Sequence, residues 1–373
     1  MKHRTTSQDV FFDLLRAGLW EKDVRLLPLN AINYSEVYKL AQEQSVVGLI
    51  AAGMEHVVDV KVPKDIALRF AGDALKLEQR NKAMNQFIAQ IFYKLNEAGV
   101  DATLIKGQGV AQCYARPLWR SSGDVDLLLN DENFERGKVF ISKISDSKVK
   151  EINFNKEFNT TIGGWCFELH GSLRSGLSAP FNKGVDEIQQ EICDNHQVRY
   201  WEIYGFRISV PEETNDVLLT FTHFIKHFYK GGLGVRQICD WCRLLWVFKE
   251  GIDSSLIERK LKTLCLMTEW RGFAAFAVEY LGMPADAMPF YSSDPKWSRK
   301  ADKIASFVLE VGNFGHNMDE SYYSKYPFLI RKTISMWRRV STLARHTTIF
   351  PSKTFRYLPH VVFTGLKSAM TGG

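Results

Sequence analysis

Two carboxylates one residue apart in an otherwise apolar run, Gly123-Asp124-Val125-Asp126-Leu127-Leu128-Leu129, constrain this chain more than any other stretch. The run reads as a buried strand, and extended backbone sends alternate side chains to opposite faces. Asp124 and Asp126 therefore share one face while Val125 and Leu127 turn into a core. Each carboxylate raises the other's proton affinity, and keeping both ionised calls for a nearby cation, most naturally a hard, oxygen-seeking ion such as Mg²⁺. An Asp-x-Asp pair on an exposed strand also occurs merely solvated, so its surroundings decide the reading. Just upstream, Leu104-Ile105 reads as a short strand running into Lys106-Gly107-Gln108-Gly109, with the helix-capable segment 110–114 behind it. A strand that opens into a helix through glycines presents free backbone N–H groups and a lysine where phosphate would lie.

The order Leu-Ile-Lys106-Gly107, then Tyr114, then Arg120-x-Ser122-x-Asp124-x-Asp126-Leu-Leu resembles the polymerase-beta-like nucleotidyltransferase superfamily, and most closely its large, mostly uncharacterised bacterial family. The Arg-x-Ser-x-Asp-x-Asp run is also similar to that of abortive-infection and antitoxin-paired nucleotidyltransferases. Further counterparts are Phe12-Asp-Leu-Leu-Arg16, Phe167-Glu-Leu-His170, Thr222-His-Phe-Ile-Lys-His227 and the stretch from Arg236 to Asp240, so the likeness spans residues 8–345. The standard superfamily signature has Gly-Ser in its first turn; here it is Lys106-Gly107, as in the resembled family.

This resemblance implies an α+β fold, a polymerase-beta-like mixed sheet flanked by N-terminal and C-terminal helical regions. It also implies transfer of a nucleoside monophosphate from an NTP such as ATP to an acceptor hydroxyl, with release of pyrophosphate. Asp124 and Asp126 are the expected catalytic metal ligands. In Cys166-Phe167-Glu168-Leu169-His170 the strand period sets Glu168 and His170 on one face, and superfamily members draw a third acid from such a neighbouring strand. Glu168 is that acid, as metal ligand or general base; its alternative is a surface strand residue. The expected ion is Mg²⁺, with Mn²⁺ as substitute. Lys106, Gly107, Gln108, Arg120, Ser122 and His170 are the expected substrate contacts near the acids.

The acceptor is open between small molecule, RNA and protein. A different class, a nucleotide-binding module without turnover, is opposed by the intact Asp124, Asp126 and Glu168, whose mutual repulsion destabilises a fold that has no use for them. A third reading keeps the chemistry in a toxin-like transferase that modifies tRNA or protein.

The 373 residues, 45% hydrophobic, suffice for one large or two modest domains. Six scattered cysteines (113, 166, 193, 239, 242, 265) do not form a secreted disulfide framework. The start of the chain has no apolar signal region, and no run approaches the roughly 18 apolar residues of a membrane span, so the cytoplasm is the expected compartment.

Residues 1–99 read as an N-terminal helical region. Phe11, Leu14, Leu15 and Leu19 recur at helical spacing, Asn33 is placed to cap a second helix, and a longer helix runs from Pro63 to a glycine stop at Gly99. Residues 100–210 form the α/β core, with strands expected at 102–105, 125–129, 148–154, 165–170, 198–203 and 206–210 and a helix over 131–144. Residues 211–350 form a C-terminal helical domain that starts with Pro211 in a first turn, and 351–373 a basic tail.

His223 and His227 stand four apart, which is metal-ligand spacing on a helix, but Phe224 occupies the place of a metalloprotease glutamate. These histidines, with Lys226 or Lys230, are read as meeting phosphate or acceptor; the alternative is a packing pair. Arg236 is either a cleft contact or the partner of Asp240 one helical turn on. The lone Cys239-x-x-Cys242 reads as packing, and Gly231-Gly232-Leu-Gly234, which follows a helix, as a turn. From Ser321 onward nine basic residues and no acidic ones stand among aromatics. They suit a polyanion, nucleic acid or anionic membrane surface, or else an acidic part of the same chain.

Overall fold

The computed structural model describes residues 6–26, 32–147, 150–152, 156–175, 177–230, 232–312 and 345–351. Helices α1 (Thr6–Trp20), α2 (Tyr34–Glu43) and α3 (Val47–Glu55) open the fold. Asn33 caps α2 as expected, its side chain accepting from the Glu36 amide at 3.2 Å. The long helix α4 (Lys64–Glu97) begins after Pro63 and ends just before Gly99, where a φ of 66° suits the residue without a β-carbon.

The sheet comprises β1 (Thr103–Ile105), β2 (Val125–Leu128), β3 (Lys150–Ile152), β4 (Glu157–Ile162) and β5 (Trp165–His170), in the order β1-β2-β5-β4-β3. Only β2 and β5 run parallel. Between β1 and β2 lies the short helix α5 (Gly107–Ala111), and α6 (Asp131–Ile144) follows β2. Sequence reading had no strand at β4, although its burial alternates and its turn, Gly163-Gly164 with φ of 57° and 78°, is a tight hairpin connection. Helix α7 (Ala179–Cys193), capped by Ser178, was also missed.

A separate hairpin, β6 (Val198–Ile203) with β7 (Phe206–Pro211), turns at Tyr204-Gly205 and lays β7 against β1. Pro211 closes β7 and does not open the next helix. Helices α8 (Glu213–Lys230), α9 (Val235–Val247), α10 (Ser254–Leu264), α11 (Met267–Leu281) and α12 (Pro295–Val311) follow. Among the described residues no helix is long and apolar enough to cross a membrane. Of the nine basic residues after Ser321 only Arg345 lies within the described residues, 2.9 Å from Glu310.

The two faces of the sheet belong to two cores. Val125, Leu127, Phe167 and Leu169 pack with Met84, Ile88 and Ile91 of α4 and Phe134 and Ile141 of α6. Burying each of these side chains fully contributes about 1.5–3 kcal/mol. Ile105 and Leu128, on the other face, join the large helical core. That core is shared by both ends of the chain: Phe12 of α1 meets Phe276 and Tyr280 of α11 edge-on. Buried Gln44 donates to the Val308 carbonyl at 2.9 Å and accepts from the Val235 amide at 2.8 Å.

Helices α1 and α3 cross through glycines. A β-carbon on Gly53 would stand 1.9 Å from the Leu14 carbonyl oxygen, and one on Gly18 1.9 Å from that of Leu49. Backbone cannot yield as a flexible side chain does, so Gly53→Ala is expected to destabilise by about 1–3 kcal/mol or more, read as a lower urea midpoint at unchanged slope. An unchanged midpoint would mean the crossing has slack.

Candidate metal centre

The parallel register of β2 and β5 sets Asp126 beside Glu168 and Leu128 beside His170. The strand period then turns Asp126, Glu168 and His170 to one face, and their ligand atoms all lie within 4.8 Å of one another. His170 Nε2 is 2.8 Å from Asp126 Oδ1 and 3.5 Å from Glu168 Oε2. Asp126 and His170 are buried, at 7% and 6% exposure. From the end of β1, Lys106 Nζ donates to the same Asp126 Oδ1 at 2.9 Å. Next to β5, β4 brings Glu157 opposite His170, with Glu157 Oε1 4.0 Å from the imidazole and 3.5 Å from Lys226 Nζ.

These neighbours set the charges. Burial alone would raise the Asp126 carboxyl, but Lys106 and the His170 hydrogen bond hold it well below the usual range. Glu168 is pushed up to about 7, chiefly by burial and then by the charge of Asp126. Asp124 stands immediately before β2; burial of its carboxyl and the charge of Asp126 raise it, against Lys106, Arg236 and Arg80. The two aspartates thus separate into a firmly ionised carboxylate and a more basic neighbour.

Because Glu168 is protonated more readily in the folded chain than at its ordinary value of 4.5, its contribution to stability is complete below that value and is lost as pH rises through about 7. In EDTA the melting temperature of the wild type is therefore expected to fall between pH 5 and pH 8 by more than that of Glu168→Gln. Identical slopes would remove Glu168 as the titrating group.

The loop ahead of Asp124 is clamped from two helices, α4 and α9. Arg120 forms a two-pronged buried ion pair with Asp240 of α9, Nε and Nη2 each 2.7 Å from a carboxylate oxygen. Arg120 Nη1 donates to Ser122 Oγ at 3.0 Å, and Tyr114 OH, just after α5, donates to Asp240 at 2.7 Å. Arg236 of α9 donates to the Ser121 carbonyl and Arg80 of α4 to that of Ser122, both at 2.7 Å. Asn81 donates to the carbonyls of Leu118 and Arg120. Asp240 thus reaches across to Arg120, while Arg236, one turn earlier, bonds a backbone carbonyl.

A pocket adjoins the acids between β1, β5, α7 and α8, with Lys106, His170, Thr222, His223 and Lys226 in its wall. His223 and His227 stand Nε2 to Nε2 at 3.1 Å. Burial, then the charge of Lys106, holds His223 well below the imidazole range and brings His227 down to about 3, so both are neutral at physiological pH. Gln108 turns inward, 1% exposed, and donates to Asn81 at 2.9 Å. Gly107 has a φ of 44° and lies against the Asp124 carbonyl, 3.5 Å from where a β-carbon would sit. Cys239 and Cys242 are fully buried, as packing requires.

The structure thus gathers Lys106, Asp124, Asp126, Glu168 and His170, with His223 and Lys226 beside them, while Gln108, Arg120 and Ser122 belong to the scaffold beneath. Sequence reading placed His170 with the substrate contacts; its imidazole stands between the two carboxylates. It missed Glu157, Arg80 and the role of Asp240. The alternation of residues 157–162 before Gly163-Gly164 was the available signal for Glu157. Carboxylate oxygens suit Mg²⁺ or Mn²⁺, an imidazole is acceptable to Mn²⁺, and the buried ionised Asp126 already draws a cation, so the donor set fits a divalent ion.

A small mixed sheet between helical layers, with acids on its paired central strands, is a nucleotidyltransferase-type α+β fold. A model of an uncharacterised nucleotidyltransferase family matches residues 30–282, and the chain belongs to that family. No curated protein and no solved structure matches it.

Proposed function

We propose that the chain transfers a nucleoside monophosphate from an NTP to an acceptor hydroxyl and releases pyrophosphate, with Mg²⁺ or Mn²⁺ held by Asp126, Glu168 and His170 and with Asp124 completing the acidic face. The supporting observation is the convergence of these two carboxylates and one imidazole on paired strands of a nucleotidyltransferase-family chain. When bound, the ion supplies Lewis-acid neutralisation of phosphate oxygens.

The chain's own residues do the rest. Lys106 and Lys226, in the wall of one pocket, attract phosphate oxygens. Neutral His223 lines the same pocket and offers a hydrogen bond without competing for charge. Arg236 and Arg80 bring positive charge to the approach over Asp124. Glu168, paired with Asp126 across the two strands, supplies the second carboxylate of the ligand set. Arg120, Ser122 and Asp240 hold the acid-bearing loop in place.

The test incubates purified protein with each α-labelled NTP, Mg²⁺ and cell extract, and follows label into RNA, protein or small molecules. Label transfer from at least one NTP, absent in Asp126→Asn, supports the reading. Nucleotide binding without transfer from any NTP would make the chain a binding module.

A further inference from the structure

Asp126 Oδ1 is engaged twice, by Lys106 Nζ at 2.9 Å and by His170 Nε2 at 2.8 Å. The same residue supplies one of the three converging ligand atoms. Lys106 and His170 take both lone pairs of Oδ1, so a divalent ion that binds this carboxylate through Oδ1 meets the Lys106 ammonium there. Two cations on one buried carboxylate also repel strongly where water screens poorly. Lysine and divalent ion therefore compete for one position.

The backbone carries an independent sign. Lys106 has φ 59° and ψ −148°, a region that side chains with a β-carbon avoid and glycine enters freely. Glycine would relax the junction between β1 and α5, yet a lysine stands there. From this point its ammonium reaches Asp126, and its stem lines the pocket shared with His223 and Lys226. The Lys106 side chain is only 17% exposed, so it does not simply serve solubility.

We propose that Lys106 is an exchangeable counter-cation: it neutralises Asp126 until a divalent ion enters, and the ion then displaces its ammonium toward the pocket, where it meets nucleotide phosphate. This rests on the metal-site reading above and adds a competition that a fixed phosphate lysine would not show. What changes in the exchange is the partner of the Lys106 side chain.

Two measurements test it. Mn²⁺ is titrated into wild type, Lys106→Met and Lys106→Arg, with melting temperatures recorded in EDTA and in Mn²⁺. A structure of the wild type with Mn²⁺ bound is determined in parallel. Lys106→Met is expected to bind Mn²⁺ more than tenfold more tightly than wild type, to melt lower in EDTA and to recover in Mn²⁺; Lys106→Arg, which keeps the competing charge, stays near wild type. In the Mn²⁺-bound wild type, Lys106 Nζ is expected beyond hydrogen-bonding distance of Asp126. Unchanged or weaker Mn²⁺ affinity in Lys106→Met overturns the exchange, as does a Mn²⁺-bound wild type in which Lys106 still bonds Asp126; the second result decides even if Lys106→Met fails to fold. Failure of wild type and both variants to bind Mn²⁺ would overturn the metal reading itself.

Discussion

Asp126→Asn is expected to abolish measurable Mn²⁺ binding and to lower label transfer by about a thousandfold or more. Asparagine keeps the shape but not the charge of a carboxylate that is 7% exposed and bonded to both Lys106 and His170. A catalytic ion stabilises transition-state charge by several kcal/mol, and each 1.36 kcal/mol is tenfold in rate. The variant also leaves the Lys106 ammonium facing a neutral amide, so its melting temperature should be recorded in the same series to separate lost chemistry from lost fold. Asp124→Asn leaves the three converging ligands intact and should retain part of the Mn²⁺ affinity. Equal loss in both variants would place Asp124 among the direct ligands, and undiminished Mn²⁺ binding in Asp126→Asn would dissolve the proposed centre.

Asp240→Ala should have the largest effect on stability, about 3–5 kcal/mol, because it strands a buried guanidinium. Arg120 and Asp240 are 4% and 5% exposed, and both guanidinium nitrogens that face Asp240 lie at 2.7 Å. Tyr114→Phe removes a single hydrogen bond to the same carboxylate and should cost only about 1 kcal/mol. Urea denaturation of both variants gives the comparison. Arg120 braces the loop leading to Asp124, so Asp240→Ala should also weaken Mn²⁺ binding although it touches no ligand. A loss below about 1 kcal/mol would show that Ser122 and the Ser121 carbonyl satisfy Arg120 without Asp240.

What could be read before folding was local. Strand period alone put Glu168 with His170, since alternation operates within a few residues; the same period applied to Asp124 and Asp126 stops short, because β2 begins at Val125. Capping chemistry is equally local, and both Asn33 and the Pro63 to Gly99 helix appear where their residues indicate. The strand at 157–162 was overlooked because its polar alternate positions resemble a loop until Gly163-Gly164 is recognised as a hairpin turn.

The chain's sequence by itself thus determined which face each strand offers and which acidic side chains stand on it. The tertiary structure alone decided how those faces meet. Strand register joins Asp126 to Glu168 and His170 across 42 and 44 positions, by hydrogen bonding that no local pattern encodes. An ion pair spanning 120 positions gives Asp240 to Arg120 and not to Arg236, one helical turn away. The strong coupling at this site depends on that arrangement, because charges influence one another through distance and excluded water, and neither exists until the chain has folded.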